Sequence, residues 1–234
     1  MRAQSLTLAV AGAALLTPAS LPAPADAAPP RVPSAAGGRS GVTAADLLDR
    51  VRSCTRISRG RYRPDDGAPA TVPVCGTREA VFWKADLDVD CDGRPTARCN
   101  RRTDPWFSAA TAFPQSDGRP LNAATLPYIV VPPPSDRWDA PAHGVRGGSV
   151  AAVVYRNRVQ YAVVADTGPR DLIGEASYAT ARGLGIPADP RRGGAPSGVT
   201  YIVFRKARIT ALEDHDAAVT TGERLARLFV RGAR

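Results

Sequence analysis

This chain of 234 residues is poor in the residue types that most often announce a function. It has two histidines, His143 and His215, and neither stands in a defensible Ser-His-Asp order. Gly174-Glu175-Ala176-Ser177 lacks the glycine spacing of a nucleophile elbow, so serine hydrolysis is set aside. Four cysteines without any C-x-x-C spacing, and so few histidines, argue against a zinc site. Only Lys84 and Lys206 are lysines among 31 basic residues, no run of four or more basic residues occurs, and aromatics are just 6% of the chain. That pattern argues against nucleic acid as a partner. The longest apolar run, Leu6 to Leu16, is about half of what a bilayer-spanning helix needs, so no membrane anchor is expected. No internal repeat is visible, which excludes solenoids.

Arg2, the apolar run and the small-residue site Ala25-Asp26-Ala27 have the layout of a secretory signal over residues 1–27. Residues 28–42 are rich in Pro, Ala, Gly and Ser and read as a disordered lead-in. Residues 43–234 suit one domain with its own core, expected as a secreted, extracellular monomer without cofactor or metal. Cys54, Cys75, Cys91 and Cys99 give an even count, which in an exported chain argues for two disulfides. Three pairings are open; Cys54 with Cys75 and Cys91 with Cys99 close the short loops and are favoured. The net charge of +9 would suit an anionic polymer or an acidic wall, but it is spread thinly, so the charge near the site must decide.

The local charge is acidic. In KADLDVDCDG, Asp86, Asp88, Asp90 and Asp92 alternate with Leu87, Val89 and Cys91, and period two places the aspartates on one strand face. Such a row repels itself unless cations are near. Substrate ammonium groups, a bound cation, or Arg94, Arg98, Arg101 and Arg102 on a merely solvated face would each serve. The calcium-loop pattern beginning at Asp88 is incomplete, because Cys99 stands where the bidentate Glu should be. Further along, YAVVADTGPRDLIGEASYATARGLGI (161–186) delivers Asp166 at the end of an apolar strand and predicts Glu175 in the first turn of a helix closed by Gly185. Each carboxylate has an ordinary alternative, a turn-former for Asp166 and a helix-dipole partner for Glu175. Thr167 and Ser177 are placed to orient them. Trp138, after three prolines, is the expected exposed aromatic platform.

The remaining pattern predicts an α+β protein with a mainly β core. Thr43 and Asp46 form a capping box for a helix over Ala44 to Val51. Strands are expected at 80–90, 128–131, 150–155, 159–165 and 200–206, and a last helix over 217–230 with Leu225, Leu228 and Phe229 on its apolar stripe. The strand, Asp-x-Gly-Pro turn and helix are similar to those of double-psi β-barrels, including lytic transglycosylase domains. The expected fold is therefore a six-stranded double-psi-like barrel with a few peripheral helices.

VFWKADLDVDCDGRPTARCNRRTDPWF (81–107), LPYIVVPP (126–133), ADTGP and IGEAS, in that order and spacing, resemble the glycoside hydrolase family 75 chitosanases. The resemblance implies a secreted endo-acting enzyme that hydrolyses β-1,4 linkages of chitosan with inversion, and it places the family's two essential acids on Asp166 and Glu175. On that reading Asp86, Asp88, Asp90 and Asp92 contact the amino sugars. Desolvated Asp166 is expected as the acid and Glu175, ionised at a helix start, as the base, although the roles could be exchanged. Two rivals remain, a peptidoglycan-acting lytic transglycosylase and a non-catalytic secreted glycan-binding module.

Overall fold

The computed structural model describes residues 41–232. The expectations for residues 1–40, including the signal segment and most of the lead-in, lie outside the described residues. Three α-helices occur among the described residues: α1 (Ala44–Arg50), α2 (Tyr178–Leu184) and α3 (His215–Arg231). The strands are β1 (Cys75–Gly76), β2 (Ala80–Asp90), β3 (Tyr128–Val131), β4 (Ser149–Tyr155), β5 (Arg158–Thr167), β6 (Glu175–Ser177) and β7 (Ala195–Arg208).

Hydrogen bonding runs in the order β2, β6, β3, β5, β4, β7, and β7 then pairs with β2 to close a six-stranded barrel, with β1 added beside β2. The pairs β2–β6 and β3–β5 are parallel and the others antiparallel, the mixture that a double-psi-like barrel requires. The predicted barrel is the one observed.

Alternation along the strands sorts the core into two layers. Val81, Trp83, Ala85 and Leu87 join Ile129, Val153, Val164, Ala176 and Tyr201 inside the ring, so that every barrel strand contributes. Ala80, Phe82, Val163 and Ile202 face outward into the layer that Leu47 of α1 and Phe229 of α3 share, and Val130 faces outward beside Glu175. The Thr43–Asp46 capping box is formed as expected. On α3 the buried stripe is Ala218, Gly222, Ala226 and Phe229, whereas Leu228, expected on it, is 55% exposed. The small residues win that face because Tyr161 lies so close to Gly222 that a Cβ there would strike its ring. Both favoured disulfides, Cys54–Cys75 and Cys91–Cys99, are present.

The main local correction falls on Glu175. It does not open a helix. It opens the short strand β6, whose parallel register sets Glu175 beside Asp88 of β2. The helix starts three residues later, where the Ser177 side chain accepts from Thr180 N at 3.2 Å, and it ends as predicted at a left-handed Gly185. Pairing with two neighbouring strands overrides the local helical preference of this segment.

Candidate active site

The geometry of the site begins with register. Asp88 lies opposite Glu175, Ile129 opposite Ala176, and Val130 opposite Asp166. Four adjacent strands, β2, β6, β3 and β5, thus carry a carboxylate, a carboxylate, Val130 and a carboxylate in a row. Two closer approaches tie the row together. A side chain on Gly168, two residues after Asp166, would meet both Glu175 Oε2 and Val130 Cγ1. Asp90, Asp92 and Asp166 each bring a carboxylate oxygen within 4.8 Å of the others, a cluster that could hold a cation.

The acids differ in surroundings. Asp166 is 6% exposed, and its Oδ1 accepts from Ala112 N at 2.8 Å and Thr167 N at 2.7 Å. Burial raises its pKa above the usual carboxylate range, and those two N–H groups oppose the rise. Glu175 has no such donors among the described residues. Burial, followed by the charges of Asp88, Asp166, Asp92 and Asp104, pushes it up to about 7. Burial first, then Asp88, lifts Asp86 to about 8, and its Oδ1 has no partner. Asp90 lies well above its ordinary value through burial and then Asp92. Asp92 is raised to about 6, mainly by burial, against the pull of a hydrogen bond from Ser108 N at 2.7 Å. Asp88, although exposed at the surface, is raised to about 6 by partial desolvation of its carboxyl group in the crowded row and then by Asp65.

Among the described residues, no Arg or Lys forms an ion pair with Asp86, Asp88, Asp90, Asp92, Asp166 or Glu175; the salt bridges lie elsewhere. Arg94, Arg98, Arg101 and Arg102 therefore do not neutralise the row. Cys99, at the would-be calcium-ligand position, is spent in the disulfide to Cys91.

Several expected site residues sit differently. Asp86 is only 5% exposed and forms the buried floor beside Gly174, whereas its neighbour Asp88 is exposed. Ser177 is fully buried; its hydroxyl donates to Leu126 O and accepts from Tyr128 N, which makes it a pin between β6 and β3 rather than a substrate contact. Trp138 is 2% exposed and packs edge-on against Trp83 at 6.2 Å, because the proline-rich loop folds it back over the open end of the ring. It presents no face to a ligand. Thr167 is exposed, and it reaches Asp166 through its backbone N–H rather than its hydroxyl.

Other contributors went unread. The loop from Cys99 to Phe113 wraps the row and supplies the Ser108 and Ala112 donors, and Tyr128 donates its hydroxyl to Asp92 O at 3.0 Å. Backbone donors carry no side-chain signature; only the clustering of this segment between two acidic motifs pointed to it.

Carboxylates set in a graded series of environments, crowded together without cationic partners on the wall of a closed barrel, are the equipment of a glycoside hydrolase. The comparisons with known proteins agree on that class. A family model described as fungal chitosanase of glycosyl hydrolase group 75 matches residues 87–226. An endo-chitosanase of Aspergillus fumigatus is 31% identical over 190 residues, which cover 70% of this chain and 79% of that protein. Endo-chitosanase B of Aspergillus oryzae is 29% identical over 192 residues, 70% of this chain and 80% of the relative. Endo-chitosanase C of the same species is 32% identical over 129 residues, but the match spans only 31% of its length. The chain belongs to glycoside hydrolase family 75.

Proposed function

We propose that this protein is a secreted endo-chitosanase in which Glu175 and Asp166 are the acid and base. The observation that carries the reading is the row Asp88, Glu175, Asp166, unpaired with any cation among the described residues and set in the chain region that the family model covers. A chain of glucosamine units brings one ammonium group per sugar, the counter-charge that the row lacks. Asp88, Asp90 and Asp92 are the residues placed to receive those ammonium groups. The excess of arginine elsewhere on a molecule of net charge +9 does not reach the row.

The surroundings favour the exchanged roles. Glu175, with a pKa near 7 and no donors, keeps its proton in mildly acidic solution and can give it to the departing glycosidic oxygen. Asp166, with Oδ1 held by two N–H groups, is the better anion and can take a proton from water on the other face of the sugar. Inversion follows from the family reading and would show as the α-anomer in freshly released product. Export through the segment 1–27, one catalytic domain over 43–234 and a monomeric state belong to the same proposal; two disulfides suit an oxidising compartment.

The test is release of reducing ends from soluble chitosan by the mature protein, by Asp166→Asn and by Glu175→Gln, with purified peptidoglycan run alongside. Each variant should lose about 10²- to 10⁴-fold in turnover while keeping its fold. Full turnover in either variant would sink its assignment, and anhydro-sugar products from peptidoglycan would replace the reading with lytic transglycosylation. Chitosan binding without new reducing ends would point to a non-catalytic module.

A further inference from the structure

Trp106 is 91% exposed, while Trp83 and Trp138 are buried. A bare indole usually belongs to a loose loop, but this one does not. Trp106 N donates to Asp104 Oδ1 at 2.9 Å, and the next residue, Phe107, is buried in the same core cluster as Cys91 and Cys99. Ser108 bonds Asp92 through its N–H at 2.7 Å and Gly93 N through its carbonyl at 3.0 Å. On the near side, Arg191 holds the carbonyls of Arg102 and Thr103 at 2.7 and 3.0 Å. The backbone is thus fixed on both sides of an aromatic ring that touches almost nothing, which is how a binding surface is prepared before its ligand arrives.

Its position supplies the ligand class. Two residues span at most about 7 Å, so Trp106 stands within that distance of Ser108, whose amide is bonded to Asp92 in the acidic row. Asp104, on the other side, is 6% exposed and its Oδ1 is taken by Trp106 N, so the carboxylate beside the ring that a ligand can reach is the half-buried Asp92. An amino sugar matches this pairing: its ring has an apolar C–H face for the indole, and its ammonium suits the carboxylate of Asp92. Resting on the chitosanase reading of the row, we propose that Trp106 is a stacking platform for a glucosamine ring at one end of the cleft, a binding subsite built on the loop rather than on the barrel.

With two of the three tryptophans buried, the emission that acrylamide can quench comes from Trp106. Glucosamine oligomers of four to six units, added to the Glu175→Gln variant so that they persist, should protect that emission, and N-acetylated oligomers should protect it less. Trp106→Ala should raise KM on soluble chitosan about tenfold and more than it lowers kcat, and Trp106→Tyr should restore most of the loss. Hydrolysis by the wild type with no protection by oligomers, or a wild-type KM in Trp106→Ala, would overturn the subsite and leave the hydrolase standing. Protection without any hydrolysis by the wild type would do the reverse, keeping the subsite and removing the hydrolase.

Discussion

Replacing Asp86 by Asn should stabilise this protein, and by an amount that depends on pH. Asp86 is 5% exposed, its Oδ1 has no partner, and burial with the neighbouring Asp88 moves its pKa from 3.8 to about 8. The unfolded chain ionises this group near its ordinary value. Between pH 4 and 8 the folded state therefore holds a proton that the unfolded state has released, and folding loses stability as pH rises. The penalty is absent below the unfolded pKa, grows by about 1.4 kcal/mol per pH unit, and levels off above about pH 8. Taken alone, the shift sets a ceiling of about 6 kcal/mol; relaxation around an ionising group and its coupling to Glu175 make about 2–3 kcal/mol the expected gain at pH 8. Asn has nearly the same shape and no charge to bury, so the gain should vanish near pH 4. Urea unfolding of both proteins at several pH values between 4 and 8 measures it. A difference that does not change with pH, or an Asn variant less stable at pH 8, would refute the assignment of Asp86 as a buried, proton-holding floor.

Activity should carry its own pH signature. If Glu175 is the acid, kcat falls tenfold per pH unit above about pH 7 as it loses its proton, and a chitosan concentration series at each pH keeps weaker ammonium binding in KM. A kcat that rises through pH 7 would return the acid role to Asp166. Gly168→Ala should lower turnover about 10²-fold at little cost to stability, because the added methyl would lie 2.5 Å from Glu175 Oε2, a movable side-chain end, and displace it. Turnover within twofold of wild type, alongside an unchanged melting temperature, would show that Glu175 has slack at this point.

Most of the barrel was legible because its long strands announce themselves. β2 and β3 fall on the predicted residues, and β4, β5 and β7 differ only by extension at their ends. Alternation and β-branched runs are local signals, and closure of the ring follows from packing that alternation. β6 was illegible for the opposite reason: three residues ahead of an alanine-rich helix carry no pattern of their own, and only β2 and β3 make them a strand. Asp166 and Glu175 stood out as the proposed acid pair through the family resemblance, since residue type and spacing alone leave both with ordinary structural readings. Their electrostatics were not legible, since one of the two donors to Asp166 comes from residue 112, 54 positions away, and the pKa of Glu175 depends on a wall of acids assembled by register. Trp138 departed from expectation because a proline-rich loop folded inward, and composition does not show which way such a loop turns.

The shortest member of the ring, β6, is also the one that begins with Glu175. A hoop fails at its weakest stave, and here that stave bears the residue proposed as the acid. Loss of three residues' pairing would open the gap between β2 and β3 and carry Glu175 away from Asp88 and Asp166 in the same motion. On the proposed roles, the molecule then has no intermediate condition in which the ring is broken and the cleft still cuts. Slow exchange of the amides of Ala176 and Ser177 would therefore serve as a direct gauge of how long each molecule stays competent.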